Sequence, residues 1–123
     1  MKRSPVIPSL FAPDIVQTVS FYVDLLGFQQ TGSYKGEDGS EIWAEVTLGE
    51  SRIWFFSNAL DKQPVPAFSG LIYVFVDDID ALAKSLEGNV LFAWGPETQV
   101  YGLRELGIQD VNGYYIVFAQ DMV

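Results

Sequence analysis

The amino-acid sequence repeats one order of segments, and this repeat restricts the fold more than any other feature. A short apolar strand, an amphipathic helix and three further strands occur twice along the 123 residues. The two helices are predicted to begin at Asp14 and Asp78, 64 residues apart, and the strands before them keep the same offset. Because neither half alone covers both faces of its sheet, the halves are expected to pair. The predicted fold class is α+β, with two βαβββ modules.

The apolar pattern sets the predicted boundaries of these modules. A single domain spans residues 1–123, with modules at 5–57 and 70–120 and a proline-containing linker at 58–69. Alternation and turn residues predict strands in the first module at 6–11, 28–35, 41–48 and 52–56. They predict strands in the second module at 71–76, 90–93, 101–109 and 115–119. Gly27 and Gly88 end the two predicted helices.

The composition excludes several classes of function. The sequence has no cysteine and no histidine, so disulfides, thiolate metal sites, cysteine nucleophiles and Ser-His-Asp triads are impossible. The net charge of -9 opposes binding to nucleic acid and attracts cations. Prolines interrupt the N-terminal segment, and no apolar run is long enough to span a membrane. A cytoplasmic protein without a nucleic-acid or membrane partner is expected.

Four stretches of sequence carry a further signal when they are taken in order. They are Ala12-Pro13-Asp14, Ser20-Phe21-Tyr22 with Leu25-Leu26-Gly27-Phe28, Val76-Asp77-Asp78-Ile79, and Tyr101-Gly102-Leu103-Arg104-Glu105 with Asp110-Val111-Asn112-Gly113. The ordered set resembles the vicinal oxygen chelate superfamily of glyoxalases, bleomycin-resistance proteins and extradiol dioxygenases. The last stretch looks most like the bleomycin-resistance branch. This resemblance implies a paired glyoxalase-like fold, in which the modules form a curved sheet around a ligand cavity.

The same resemblance locates the positions that bind a divalent metal in the enzymes of the superfamily. These enzymes use histidine, glutamine or glutamate side chains from the first and last strands of each module. The corresponding positions in this sequence are Ile7, Trp54, Leu71 and Val117. None of these side chains offers the oxygen or nitrogen donor that a metal ion needs. We therefore predict no metal, no cofactor and no catalytic residue, which argues against an enzyme.

Strand alternation assigns one face of each sheet to the helices and the other to the cavity. The predicted cavity face is rich in aromatic rings, which stack on planar ligands and attract cations. Its predicted ligand-binding residues are Phe11, Trp43, Glu45, Trp54, Tyr73, Trp94, Tyr101, Glu105 and Tyr115. Glu45 and Glu105 lie on matching strands and are expected to face one another or flank one pocket. Arg52 or Arg104 is a candidate ion-pair partner for them.

Two of these assignments have a structural alternative. Trp94 is predicted to precede a loop, where it would either close over a ligand or anchor the loop. Arg104 is expected to close a structural ion pair rather than to contact ligand.

Three functions remain open at the level of the sequence. The first is a metal-free, homodimeric protein that sequesters a small cationic or aromatic compound, with antibiotics among the candidates. The second, which rests on resemblance alone, is a lyase, isomerase or dioxygenase with an atypical site at Glu45 or Glu105. The third is a partner-binding module in which the aromatic side chains pack against one another and leave no cavity.

Overall fold

A computed structural model describes residues 5–57 and 66–123 of the chain. The chain divides into two compact units, Met1–Ala67 and Phe68–Val123, and each unit contains one strand-helix-three-strand module. Most of the predicted linker at 58–69 lies outside the described residues. Among the residues that are described, no helix is both long and apolar enough to cross a lipid bilayer.

The first unit contains one four-stranded mixed sheet and one helix. Its strands are β1 (Ser9–Phe11), β2 (Gln29–Lys35), β3 (Glu41–Leu48) and β4 (Ser51–Phe56). The helix α1 (Ile15–Ser20) continues as a π-helical turn at Phe21–Leu25. The strands lie in the order β1-β4-β3-β2, with β1 parallel to β4 and the other pairs antiparallel.

The second unit repeats this arrangement. Its strands are β5 (Leu71–Phe75), β6 (Phe92–Thr98), β7 (Leu103–Gln109) and β8 (Tyr115–Asp121), and its helix is α2 (Ile79–Leu86). The strands lie in the order β5-β8-β7-β6, and β5 is parallel to β8. The predicted α+β fold of two βαβββ modules is therefore confirmed.

Equivalent hydrogen bonds define how positions in the two modules correspond. Asp14 and Asp78 are the N-caps of their helices, and each accepts a backbone N–H three residues further along. The amide of Ala12 donates to the carbonyl of Phe56, and the amide of Val76 donates to that of Ala119. The strand–helix junctions thus keep the offset of 64, whereas the last strands of the modules are offset by 63.

Each sheet buries one face against its own helix, as the alternation predicts. On the helix-facing side, the buried strand residues of the first unit are Leu10, Ala44, Val46, Ile53 and Phe55. On the same side of the second sheet they are Ile72, Val74, Leu106, Ile108, Ile116 and Phe118. The helices contribute Ile15, Val19, Ile79, Ala83 and Leu86. The opposite face of each sheet carries the aromatic and acidic side chains that the sequence singled out.

The largest departure from the predicted elements is strand β6. The predicted strand ends at residue 93, but β6 runs from Phe92 to Thr98 and passes through Gly95 and Pro96. Gly95 has a φ of +80°, and the pairing of β6 with β7 shifts register on both sides of Trp94. This irregularity lets a strand continue through a Gly-Pro pair that is typical of a loop. The prediction that Trp94 precedes a loop is therefore wrong, because Trp94 lies inside β6.

Two other strands begin at least two residues later than predicted. Strand β1 begins only at Ser9, although the carbonyl of Pro8 still accepts the amide of Trp54. Strand β7 begins at Leu103, which leaves Tyr101 in the turn between β6 and β7. Tyr101 is therefore carried by a turn and not by a strand.

Candidate functional site

The carboxylate of Glu105 accepts hydrogen bonds from three aromatic side chains of the second unit. Glu105 lies on β7, points away from α2, and is only 2% exposed. Its Oε2 accepts the hydroxyl of Tyr101 at 2.7 Å and that of Tyr73 at 3.0 Å. Its Oε1 accepts the indole N–H of Trp94 at 3.4 Å. Four residues that were predicted to bind ligand are thus brought together.

The predicted ion-pair partners of this carboxylate are elsewhere. Because side chains alternate along β7, Arg104 lies on the opposite sheet face from Glu105. There its guanidinium binds Asp80 at 2.8 Å and also donates to the hydroxyl of Thr98. This confirms a structural ion pair for Arg104 and excludes it as the partner of Glu105. Within residues 5–57 and 66–123, no lysine or arginine forms a salt bridge with Glu105. Glu105 is instead satisfied by neutral aromatic donors.

A glycine makes room for the indole of Trp94. Trp94 pairs with Gly107 across β6 and β7, and a Cβ at Gly107 would overlap the indole ring. The indole also stacks on Tyr115, with ring centroids 6.2 Å apart and an interplanar angle of 28°. Trp94 is therefore fixed on both sides. We call the surface formed by Tyr73, Trp94, Tyr101, Glu105 and Tyr115 the Glu105 face.

The Glu105 face is open to solvent and carries a second carboxylate. Tyr73, Phe75 and Tyr115 are exposed although they lie on strands β5 and β8. Glu97 pairs directly with Glu105 across β6 and β7, so both carboxylates lie on the same sheet face. Sequence reasoning missed Glu97 because it predicted that the strand ends at residue 93 and that a loop follows Trp94. The surface combines planar apolar groups with concentrated negative charge.

The hydrogen bonds to Glu105 alter the acidity of its tyrosine donors. The bond to Glu105 raises the pKa of Tyr101 well above its usual range, and burial adds to this effect. Burial, followed by the bond to Glu105, raises the pKa of Tyr73. Each proton is retained because an ionised phenol would lose its bond and repel the carboxylate.

A pH titration of tyrosine absorbance tests this arrangement. Folding raises the pKa values of both Tyr73 and Tyr101. The free energy that their hydrogen bonds add to the folded state is therefore fully present below the unfolded tyrosine pKa of about 10. It is lost as pH rises through the higher folded values. We expect Glu105→Gln to move part of the phenolate absorbance curve to lower pH, since the amide binds the hydroxyls more weakly. An unchanged curve would show that the carboxylate does not hold these protons.

The first unit has its own carboxylate cluster around Glu45. Glu45 accepts the indole N–H of Trp54 at 2.7 Å and the hydroxyl of Thr31 at 2.8 Å. The bond from Trp54, followed by that from Thr31, lowers the pKa of Glu45. Arg52 lies 3.9 Å away, beyond hydrogen-bonding distance, and is about half exposed. Sequence reasoning did not identify Thr31, which the register shift in β2 brings beside Glu45.

The remaining predicted residues of the first unit are aromatic. Trp43 packs edge-on against Trp54 at 5.5 Å, and Phe11 is buried against Phe56 at 5.8 Å. The nine predicted residues therefore fall into two groups, one in each unit. Whether the two groups share one pocket stays a prediction.

Glu45 and Glu105 lie on matching strands but not at matching positions. Glu45 pairs with Trp54, whereas the equivalent of Trp54 in the second unit, Val117, pairs with Gly107. Gly107 therefore corresponds to Glu45. Trp43 pairs with Phe56, and Glu105 pairs with Ala119, which is the equivalent of Phe56 in the second unit. Trp43 therefore corresponds to Glu105. The acidic position has moved by two residues between the modules.

The positions that bind metal in related enzymes do not fit a metal ion in this chain. The indole N–H of Trp54 can only donate, and it is already bonded to Glu45. Val117 is a fully buried apolar side chain, and Ile7 and Leu71 have no donor atom for a metal. In the described part of the chain, no three acidic side chains come together as a metal site requires. We therefore derive no metal-dependent step.

Comparison with known proteins places this fold in a family. The family model of the Glyoxalase/Bleomycin resistance protein/Dioxygenase superfamily matches residues 6–118. The chain belongs to this superfamily. No curated protein sequence matches the chain.

Several solved structures of this superfamily and its relatives share the fold along the whole chain. TnmS3, an antibiotic binding protein from a Streptomyces species, is 26% identical with a TM-score of 0.76, and 98% of each chain is covered. A superfamily member from Sphaerobacter thermophilus is 20% identical with a TM-score of 0.78, again over 98% of each chain. Lactoylglutathione lyase from Agrobacterium tumefaciens is 18% identical with a TM-score of 0.71, over 97% of this chain and 94% of the lyase.

Proposed function

We propose that this superfamily member is a metal-free binding protein for a small, planar, cationic compound, and that the Glu105 face contacts the ligand. The observation that carries the proposal is a nearly buried carboxylate that accepts three aromatic donors and, among the described residues, no cation. A carboxylate in such surroundings is stabilised further by a positively charged partner. The ligand would supply that charge.

The surroundings of Glu105 favour a ligand that is also aromatic. The exposed ring of Tyr73 borders the carboxylate, and Trp94, which stacks on the exposed Tyr115, provides a rigid flat surface. Such rings bind planar molecules by stacking and bind cations through the negative potential of their faces. Glu97 and the net charge of -9 favour the approach of a cation.

Two further observations support binding rather than metal-dependent catalysis. The four positions that hold metal in superfamily enzymes carry side chains that cannot coordinate one. TnmS3, which shares the fold and 26% of its residues, is an antibiotic binding protein. An antibiotic with a planar, cationic group is therefore among the ligands that we propose.

Binding of proflavine, a planar aromatic cation, tests the proposal by calorimetry. We expect saturable binding by the wild-type protein and about thirtyfold weaker binding by Glu105→Gln, because a hydrogen-bonded charge contributes roughly 2 kcal/mol. Phenazine, a neutral tricyclic compound, should bind both proteins with similar affinity. Zinc should not compete with either compound.

The matched control is Glu87→Gln, which removes the same charge from the same unit. Glu87 caps the end of α2, on the other side of the sheet, and is exposed. If Glu87→Gln weakens proflavine binding as much as Glu105→Gln does, net charge rather than the Glu105 face is responsible. Absence of proflavine binding by the wild-type protein would contradict the proposed function.

A further inference from the structure

The turn between β6 and β7 holds one of the three donors to Glu105 on a fixed backbone. The amide of Gln99 donates to the carbonyl of Leu103 at 2.8 Å, and the amide of Gly102 donates to that of Gln99 at 3.0 Å. Tyr101 lies in this turn and is 59% exposed, yet its hydroxyl reaches Glu105. Rotation of the side chain alone would separate the hydroxyl from the carboxylate.

The other two donors are less exposed than Tyr101. The indole of Trp94 lies on Gly107 and stacks on Tyr115, so its movement would disrupt both contacts. Tyr73 belongs to β5 and is 40% exposed, whereas Tyr101 lies in the turn and is 59% exposed. Tyr101 is therefore the most exposed of the three donors to Glu105.

We propose that Tyr101 is a displaceable cover for Glu105 and that it sets the selectivity of the site for cations. In the free protein, the hydroxyl of Tyr101 occupies Oε2 of Glu105. On binding, a ligand N–H that carries positive charge takes its place, and the released phenol turns into solvent. This inference rests on the proposed function and names the atom at which the ligand cation binds.

The strength of the existing bond explains why the cover would select for charge. The O–H···O⁻ bond of Tyr101 is 2.7 Å long, which is typical of a charge-assisted hydrogen bond. A neutral aromatic ligand offers no bond of equal strength, so it cannot displace the hydroxyl. A cationic N–H donor forms a bond of the same class and adds attraction between opposite charges. Oε1, whose bond from Trp94 is 3.4 Å long, can accept a second ligand N–H.

The variant Tyr101→Phe distinguishes a hydroxyl that the ligand displaces from a hydroxyl that itself binds the ligand. Removal of the Tyr101 hydroxyl leaves Oε2 of Glu105 with one donor fewer, so proflavine no longer has to displace that hydroxyl. We expect proflavine to bind Tyr101→Phe roughly tenfold more tightly than wild type. Phenazine should change by less than about twofold, since the remaining ring still packs. Calorimetry of both compounds measures this difference.

The matched control is Tyr34→Phe, which removes a hydroxyl from an exposed tyrosine of the first unit. It should leave proflavine affinity unchanged. If Tyr101→Phe binds proflavine with unchanged or weaker affinity while Glu105→Gln still loses it, the cover is disproved and the proposed function stands. If neither wild type nor Tyr101→Phe binds proflavine, both are disproved.

Discussion

Replacement of Phe118 by alanine is expected to destabilise the protein by about 3–5 kcal/mol, the largest effect that we predict. Phe118 is fully buried on β8 and pairs with Val74 and Leu106, which belong to the buried face of the second sheet. Truncation removes the whole phenyl ring from this core and leaves a cavity. Urea unfolding, followed by tryptophan fluorescence and circular dichroism, measures the change in free energy.

The matched control for this substitution is Phe75→Ala in the same sheet. Phe75 is 62% exposed, so its truncation should change the free energy of unfolding by less than about 1 kcal/mol. Equal losses for the two variants would contradict the assignment of the sheet faces, since Phe118 and Phe75 would then be buried to the same extent.

Replacement of Asp110 by alanine is expected to cost about 3 kcal/mol. Asp110 is buried in the turn between β7 and β8, where Oδ1 accepts the amides of Asn112 and Tyr114, each at 2.8 Å. The backbone of the same turn is closed by the amide of Asp110, which donates to the carbonyl of Tyr114. Alanine leaves the buried amide of Tyr114 without this acceptor, and bonds to a charged group contribute more than neutral ones.

Two companion variants show whether the lost bonds are the cause. Asp110→Asn keeps a carbonyl oxygen at this position and should lose only about 1 kcal/mol. Asp24→Ala removes an exposed aspartate of the first unit and should have little effect. If Asp110→Asn is as unstable as Asp110→Ala, the charge of Asp110 rather than its acceptor geometry stabilises the turn.

The fold was predictable because its sequence signals agree with one another. Alternation from Glu41 to Leu48 gives β3 its observed bounds, and aspartate caps mark the start of both helices. The first helix differs in detail, since a π-turn follows Ser20. The wider turn keeps Tyr22 and Leu26 buried, so the apolar stripe predicts burial correctly even where it cannot reveal the helix type.

The candidate site was predictable as a set of residue types but not as a set of bonds. Alternation brings Tyr73 and Glu105 to one sheet face, but it cannot show that the turn returns Tyr101 to the same carboxylate. Arg52 and Arg104 were the candidate ion-pair partners of Glu105, because buried charge usually requires an opposite charge. Three aromatic donors provide that stabilisation instead. Glu97 was missed because Gly95 and Pro96 hide the continuation of β6.

The shift of the acidic residue between the modules has a consequence for how the repeat can be used. Duplication of one ancestral module would give two surfaces with the same recognition chemistry. Here Trp43 and Glu45 of the first copy correspond to Glu105 and Gly107 of the second. The copies have thus diverged into two non-interchangeable halves, so grafting residues from one half at equivalent positions of the other would remove a carboxylate cluster instead of duplicating it.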